Sequence, residues 1–276
     1  MSRETFLAET SSPNATPSTA FVAPAKFRRL WLSLIRNLKP ALKQILPRPI
    51  KWHLGAWRHG RLTLRRLSPL SRRFGYDRGT PIDRKYIESF LEKFRHDIRG
   101  RVLEIGDRSY TRQFGADRVT TSDVLHVEHG HEGVTIVADL SGPGVPHEVR
   151  FDCIIITQTL QLIFDLDTAV SNLYSMLAPG GVALVTVPSA SPVVRDQGDP
   201  DCDCWRFTAS GLRRLFARKF ERCDLSVFSY GNVLTASAFL YGMSAEDLKP
   251  GQLDMHDPDI PVIVAIRAPK PDPRVE

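Results

Sequence analysis

Along the middle and C-terminal parts of this chain, the apolar positions change their spacing in a regular order. Short apolar runs at 101–106, 118–122, 134–138, 151–157, 181–187, 222–229 and 261–267 read as strands. Apolar side chains that return every three or four residues at 82–98, 166–178, 208–219 and 232–241 read as helices. Strands separated by helical segments predict an α/β domain. In the first helix Tyr86, Ile87, Phe90, Leu91, Phe94 and Ile98 share one face, with Asp83 as the expected cap and Gly100 as the stop. Two connections break the pattern. The segments between Asp123 and Val134 and between Asp139 and Phe151 are short and carry no amphipathic helix. One side of the sheet is therefore expected to be thinly covered, which leaves an apolar face for the N-terminal segment or a partner.

The N-terminal part has a different texture. Residues 1–25 include SSPNATPSTAFVAPA, too polar and too interrupted by proline to pack, and are expected to form a disordered leader. Residues 26–78 form a basic appendage. Phe27, Leu30, Trp31, Leu34, Ile35 and Leu38 lie on one face of a predicted helix, with Arg28, Arg29 and Arg36 largely off it, until Pro40 interrupts it. From Lys26 to Gly75 there are 14 Lys and Arg residues and no acidic ones, so the net charge of +6 belongs to this segment and residues 76–276 sum to −7. A cationic amphipathic helix suits three roles. It can dock on the following domain or on a partner, lie peripherally on an anionic membrane through residues 26–46, or follow nucleic-acid phosphate. Only the charge motivates the last, and nucleic acid is not the expected partner. No apolar run approaches the ~20 residues of a membrane span, and the start lacks the layout of a secretory signal. A cytoplasmic protein is expected, at most peripheral at the inner face of a membrane.

Candidate chemistry is concentrated in RVLEIGDRSYTRQFGADRVTTSD, from Arg101 to Asp123. A strand runs into Gly106, and a second short strand is read as ending on Asp123, 19 residues after Glu104. In open parallel sheets ligands sit beyond the carboxyl ends of the strands. A glycine there admits close backbone approach, and an acid at the next strand end takes two ribose hydroxyls. Only Gly106 occupies the turn, so a pyrophosphate would lack its cradle of amides. An adenosine cofactor without phosphates fits better.

The further series EIGD, Asp123, VADL (137–140), FDCIIITQTLQLIFD (151–165) and LAPGGVALVTVP (177–188) resembles the motifs of class I S-adenosylmethionine-dependent methyltransferases. WRFT at 205–208 and SYGNVLTASAFLYG at 229–242 resemble a bacterial methyltransferase-like group associated with glycosyltransferases and surface-polysaccharide synthesis. The resemblance covers about residues 80–269. It implies a Rossmann-like, seven-stranded, mostly parallel sheet with an antiparallel edge pair, spanning 79–270 and followed by a tail at 271–276. It also implies S-adenosylmethionine as cofactor, a sugar or other small polar acceptor, and a glycosyltransferase as partner.

By that resemblance Glu104 lies close to the methionine amine, Gly106 and Asp107 form the turn, Asp123 takes the ribose, Asp139 and Leu140 border the adenine, and Thr157 and Gln158 line the floor near the sulfonium. Each polar residue also has a plainer use: Glu104 as a helix-terminus partner, Asp139 as a turn cap, Gln158 as a strand-end hydrogen bonder. On the acceptor side, Asp203, Trp205 and Arg206 follow the fifth strand. Trp205 suits stacking on a ring and Arg206 suits holding an anion, while both also suit packing at the entry to helix 208–219. His126, His129 and His131 offer a base or a solvated turn. Metal is not expected: Cys202 and Cys204 stand one residue apart and lack a second pair. The missing glycines and absent base leave two alternatives open, a weakly active scaffold beside a glycosyltransferase and a nucleic-acid methyltransferase.

Overall fold

A computed structural model describes residues 66–195, 202–221 and 223–273. The expected leader and cationic helix lie outside these residues. Strands β1 (Gly100–Ile105), β2 (Val119–His126), β3 (Ile136–Val137), β4 (Phe151–Thr157), β5 (Leu177–Pro188), β6 (Ser226–Tyr230) and β7 (Ile263–Pro269) form one sheet in the order β3-β2-β1-β4-β5-β7-β6. The first five pair in parallel, while β7 runs against both β5 and β6. The order reverses between β1 and β4, where a crevice opens at the carboxyl ends of the strands.

Strand alternation sends side chains to two apolar layers. Leu103, Ile154, Ile156, Val185 and Val187 join the layer covered by α2 (Leu166–Met176) and α3 (Ala209–Ala217). Val102, Cys153, Ile155 and Leu184 join the layer covered by α1 (Ile82–Lys93) and α4 (Val233–Leu240). Tyr86, Ile87, Phe90 and Leu91 are buried as their spacing predicts. Each such side chain contributes roughly 1.5–3 kcal/mol. The short helix α5 (Pro250–Asp254) follows.

Several boundaries move for local reasons. Helix α1 ends at Lys93, because Phe94 leaves helical geometry and tighter turns carry the chain to Ile98, with Asp97 held by Arg267 of β7 at 2.7 and 3.0 Å. Asp83 is not the cap. Pro81 holds that position without a side-chain bond, and Asp83 lies inside the first turn. Between β1 and β2 the chain makes a π-helical turn, Thr111–Gly115, and a 3-10 turn, Ala116–Arg118, which the apolar spacing did not mark. The expected thin cover is present: residues 127–135 and 138–150 contain no helix. There Leu140 and Val145 enter the core directly, and Asn172 of α2 pins that loop by donating to the carbonyls of Leu140 and Gly142. No helix among the described residues is long and apolar enough to cross a membrane.

The last residues assigned to the appendage pack against the domain. The Leu70 amide donates to the Tyr241 carbonyl, Phe74 joins the apolar layer under α4, and Arg78 makes a two-pronged ion pair with Asp247. Gly242 closes this seat. Its φ is +69°, and a Cβ there would stand 2.2 Å from the Ser71 carbonyl oxygen. Gly242→Ala should therefore lower unfolding free energy by at least about 2 kcal/mol through backbone strain and displacement of residue 71. Denaturant titration reads this directly, and an unchanged midpoint would dissolve the assigned seat.

Candidate functional site

Beyond β1 the chain turns at Gly106, whose φ is +93° and whose missing Cβ would meet no heavy atom within 4 Å. The turn is exposed and anchored from below, the Gly106 amide donating to the Leu125 carbonyl at 3.0 Å. A ligand can therefore come against the main chain here. Asp107 continues the turn and accepts from the Ser109 amide at 2.7 Å and from the Ser109 hydroxyl. Against partial burial, these bonds hold its carboxyl below the ordinary range.

Behind the turn, Glu104 is 3% exposed. Its two carboxylate oxygens accept the Tyr110 amide at 3.1 Å and the Thr111 amide at 2.7 Å, the donors that open the π-helical turn. Burial pushes its pKa up from 4.5 to about 7, with the Thr111 and Tyr110 bonds opposing. The helix-terminus use is thus realised, and lone pairs on the carboxylate remain for a cation.

Asp123 does not end its strand. Val124 and Leu125 are buried in the core and extend β2 to His126, so Asp123 pairs with Leu103 three residues inside. Its carboxylate accepts Arg101 Nε at 2.7 Å and the Thr135 hydroxyl at 3.0 Å. These bonds satisfy a buried acid within the sheet and leave His126, not Asp123, level with Gly106. Beyond β3, Asp139 accepts from the Ser141 amide and hydroxyl, both at 2.8 Å, as a turn cap, while Leu140 is core.

A cleft of about 330 Å³ opens beside the turn, bordered by Asp107, Tyr110, Thr157, Gln158, Asp203 and Arg206 among others. Gln158 holds φ at +49°, unusual for a residue with a side chain. Its main-chain N–H donates to the Thr186 carbonyl and its carbonyl accepts the Gln161 side chain, yet its side-chain Nε2 is buried without a partner. A strained residue presenting an unpaired donor beside a cleft marks a place for a ligand oxygen.

The acceptor-side residues separate. The Asp203 carboxylate is 1% exposed and accepts Arg206 at 2.5 and 2.7 Å and the Val194 amide at 2.7 Å. Against burial, those bonds hold it below the ordinary carboxylate range. Every guanidinium nitrogen of Arg206 already donates, also reaching the carbonyls of Ser191, Pro192 and Trp205. Arg206 thus staples segment 191–194 to segment 203–206. Trp205 donates to the Ile163 carbonyl at 3.0 Å, stacks on Phe164, and is absent from the cleft wall.

Asp83, read from sequence as a cap, borders the same cleft. It accepts from the Arg84 amide at 2.8 Å, and burial raises its pKa to about 6. An acid near a proline-started helix carries the same pattern in sequence whether it caps or faces a cleft, so no signal separated the two uses.

The sheet order and the crevice at its reversal define a Rossmann-like, class I methyltransferase fold. No family model matches the chain, and no curated protein matches it. Solved structures do. The N-methyltransferase NodS from Bradyrhizobium japonicum WM9, in complex with S-adenosyl-L-homocysteine, is 17% identical over 70% of this chain and 90% of its own, with a TM-score of 0.45. The [4+2]-cyclase SpnF is 16% identical over 70% and 84%, with a TM-score of 0.45. DhpI, in a complex with SAH, is 16% identical over 72% and 90%, with a TM-score of 0.46. Identities this low leave substrate and reaction to the site itself.

Glu104 also makes stability depend on pH. Its folded pKa is raised, so its contribution is fully present below about 4.5 and is lost as pH climbs through about 7. Glu104→Gln removes the titration. The variant should lose stability at acid pH, where one acceptor is replaced by a donor, but recover relative to wild type between pH 4.5 and 8 by up to about 3 kcal/mol. Parallel unfolding curves at all pH values would contradict the buried, raised carboxyl.

Proposed function

We propose that this chain is an S-adenosylmethionine-dependent methyltransferase acting on a small polar acceptor. The observation that carries the reading is the open Gly106 turn with the buried Glu104 carboxylate directly behind it. A ligand bearing an ammonium group fits that pair, since a cation there favours the ionised acid that burial disfavours. When bound, the cofactor supplies a methyl group on a sulfonium, an electrophile that calls for alignment more than for further catalytic groups.

The residues divide the work. Gly106 gives the main chain close approach, Glu104 holds the amine, and the unpartnered Gln158 amide donates to an oxygen of the cofactor or acceptor. By the family resemblance, exposed Asp139 borders the adenine beyond the end of β3, with buried Leu140 packed beneath it. Asp123, with its oxygens committed to Arg101 and Thr135, supports the nucleoside end by fixing β2. Asp83 takes the acceptor proton: with its pKa near 6 it is ionised at neutral pH yet basic enough to accept one. The polar cleft wall suits a sugar or a molecule of similar size. Membership in surface-polysaccharide metabolism and a glycosyltransferase partner rest on the family resemblance alone.

Calorimetry with S-adenosylhomocysteine tests the reading. Glu104→Gln should weaken binding by about tenfold or more, equivalent to about 1.4 kcal/mol, whereas Asp83→Asn should leave it within about twofold. Below pH 7 the free protein holds a proton on Glu104 that the ligand's ammonium must expel, so affinity should fall as pH drops from about 7. Absence of heat and of thermal shift at millimolar ligand would turn the reading towards a scaffold.

A further inference from the structure

The loop that leaves β2 reads HVEHGHEG, from His126 to Gly133, and it folds back on itself. The His126 and His131 rings lie with centroids 3.8 Å apart, and His131 Nε2 stands 3.4 Å from Glu128 Oε2. One ligand atom from each of His126, Glu128 and His131 lies within 4.8 Å of the others. The Glu128 amide donates to His126 Nδ1 at 2.9 Å, which leaves that nitrogen unprotonated with its lone pair turned into the loop. Arg108 reaches the far end of the loop through the Gly133 carbonyl.

We propose that His126, Glu128 and His131 form a binding site for a divalent transition metal of the zinc class. Two imidazoles and one carboxylate supply three donors and leave a fourth position for water, a set that suits zinc, cobalt or nickel and not the all-oxygen preference of magnesium or calcium. Bonds of about 2.0–2.2 Å place tetrahedral ligand atoms about 3.4 Å apart, so the loop must close by roughly 1 Å. Exposed Glu128 and His131 can move that far, while half-buried His126 stays fixed by its strand. His126 Nδ1 would exchange the Glu128 amide for the metal. Without a metal, the exposed Glu128–His131 pair contributes little to holding the loop together. With one, the loop is tied to the carboxyl end of β2, level with Gly106 and therefore at the edge of the crevice. Cys202 and Cys204, whose spacing does not suit a zinc site, are not among these ligands.

Calorimetry of the whole chain with zinc chloride, and cobalt chloride followed by visible absorption, tests this site. One equivalent should bind, with cobalt bands lacking thiolate charge transfer. His131→Ala and Glu128→Gln should each weaken binding by about tenfold or more. His129→Ala, which removes a neighbouring exposed imidazole, and the Cys202→Ser/Cys204→Ser double variant should leave affinity within about twofold. Absence of binding, binding indifferent to His131→Ala, loss confined to the cysteine variant, or equal affinity for magnesium would each overturn the assignment.

Discussion

The contact on which the site most depends is the pair of hydrogen bonds from the Tyr110 and Thr111 amides to buried Glu104. Opening amides of a helical turn are orphan donors, and here an acid from the preceding strand satisfies them. That closure fixes the path from β1 through Gly106 and Asp107 into Tyr110, whose ring stacks against Phe114 and borders the cleft. The same closure places an acid of raised pKa behind an open backbone turn. Local hydrogen-bond satisfaction and a ligand-ready charge are therefore one arrangement, and loosening either disturbs the other.

Helix α1 links this arrangement to the core. Tyr86, Phe90 and Leu91 lock it onto the sheet, while Asp83 and Arg84, in its first turn, reach the cleft. Its far side, through Lys85, Glu88 and Ser89, borders a second hollow of about 480 Å³ with Asp254 and His256. Because large apolar side chains hold the helix, the position of Asp83 is set by packing and not by its own hydrogen bonds. Held there, its carboxyl is partly cut off from water, and burial raises its pKa to about 6.

Much of this was legible from sequence because it depends on spacing. The apolar runs located all seven strands, and the two short connections announced the missing helices, since a gap of ten or eleven residues leaves no room for a crossover helix. Gly106, Thr157 and Gln158 were placed at strand ends correctly because strand ends follow apolar runs. Asp123 failed for the reason that makes that rule work elsewhere: a lone acid reads as the end of a run, yet Arg101 and Thr135 supply partners that let β2 continue past it. Such partners lie 22 and 12 residues away and leave no periodic trace. The π-helical turn was invisible because Glu104, six residues upstream of Tyr110, supplies the cap that a helix usually carries beside its own start.

The acceptor side shows the same limit and narrows what the cleft can hold. Arg206 suggested an anion holder, but Asp203 neutralises it within the protein, and its remaining donors close onto the carbonyls of Ser191, Pro192 and Trp205. An anionic acceptor would have to displace a buried carboxylate held by three hydrogen bonds, leaving Asp203 charged, desolvated and unpaired, a change that typically costs about 3–5 kcal/mol. Asp83 and Asp107 add negative charge to the same wall. Among the described residues Arg84 is the other guanidinium there, and it already lies over the Tyr110 ring and within 3.6 Å of Glu88. On the proposed reading, the charges that the described residues bring to the cleft disfavour an anionic acceptor, and the Gln158 side-chain amide and the Asp83 carboxylate are the groups left to select a neutral or cationic one.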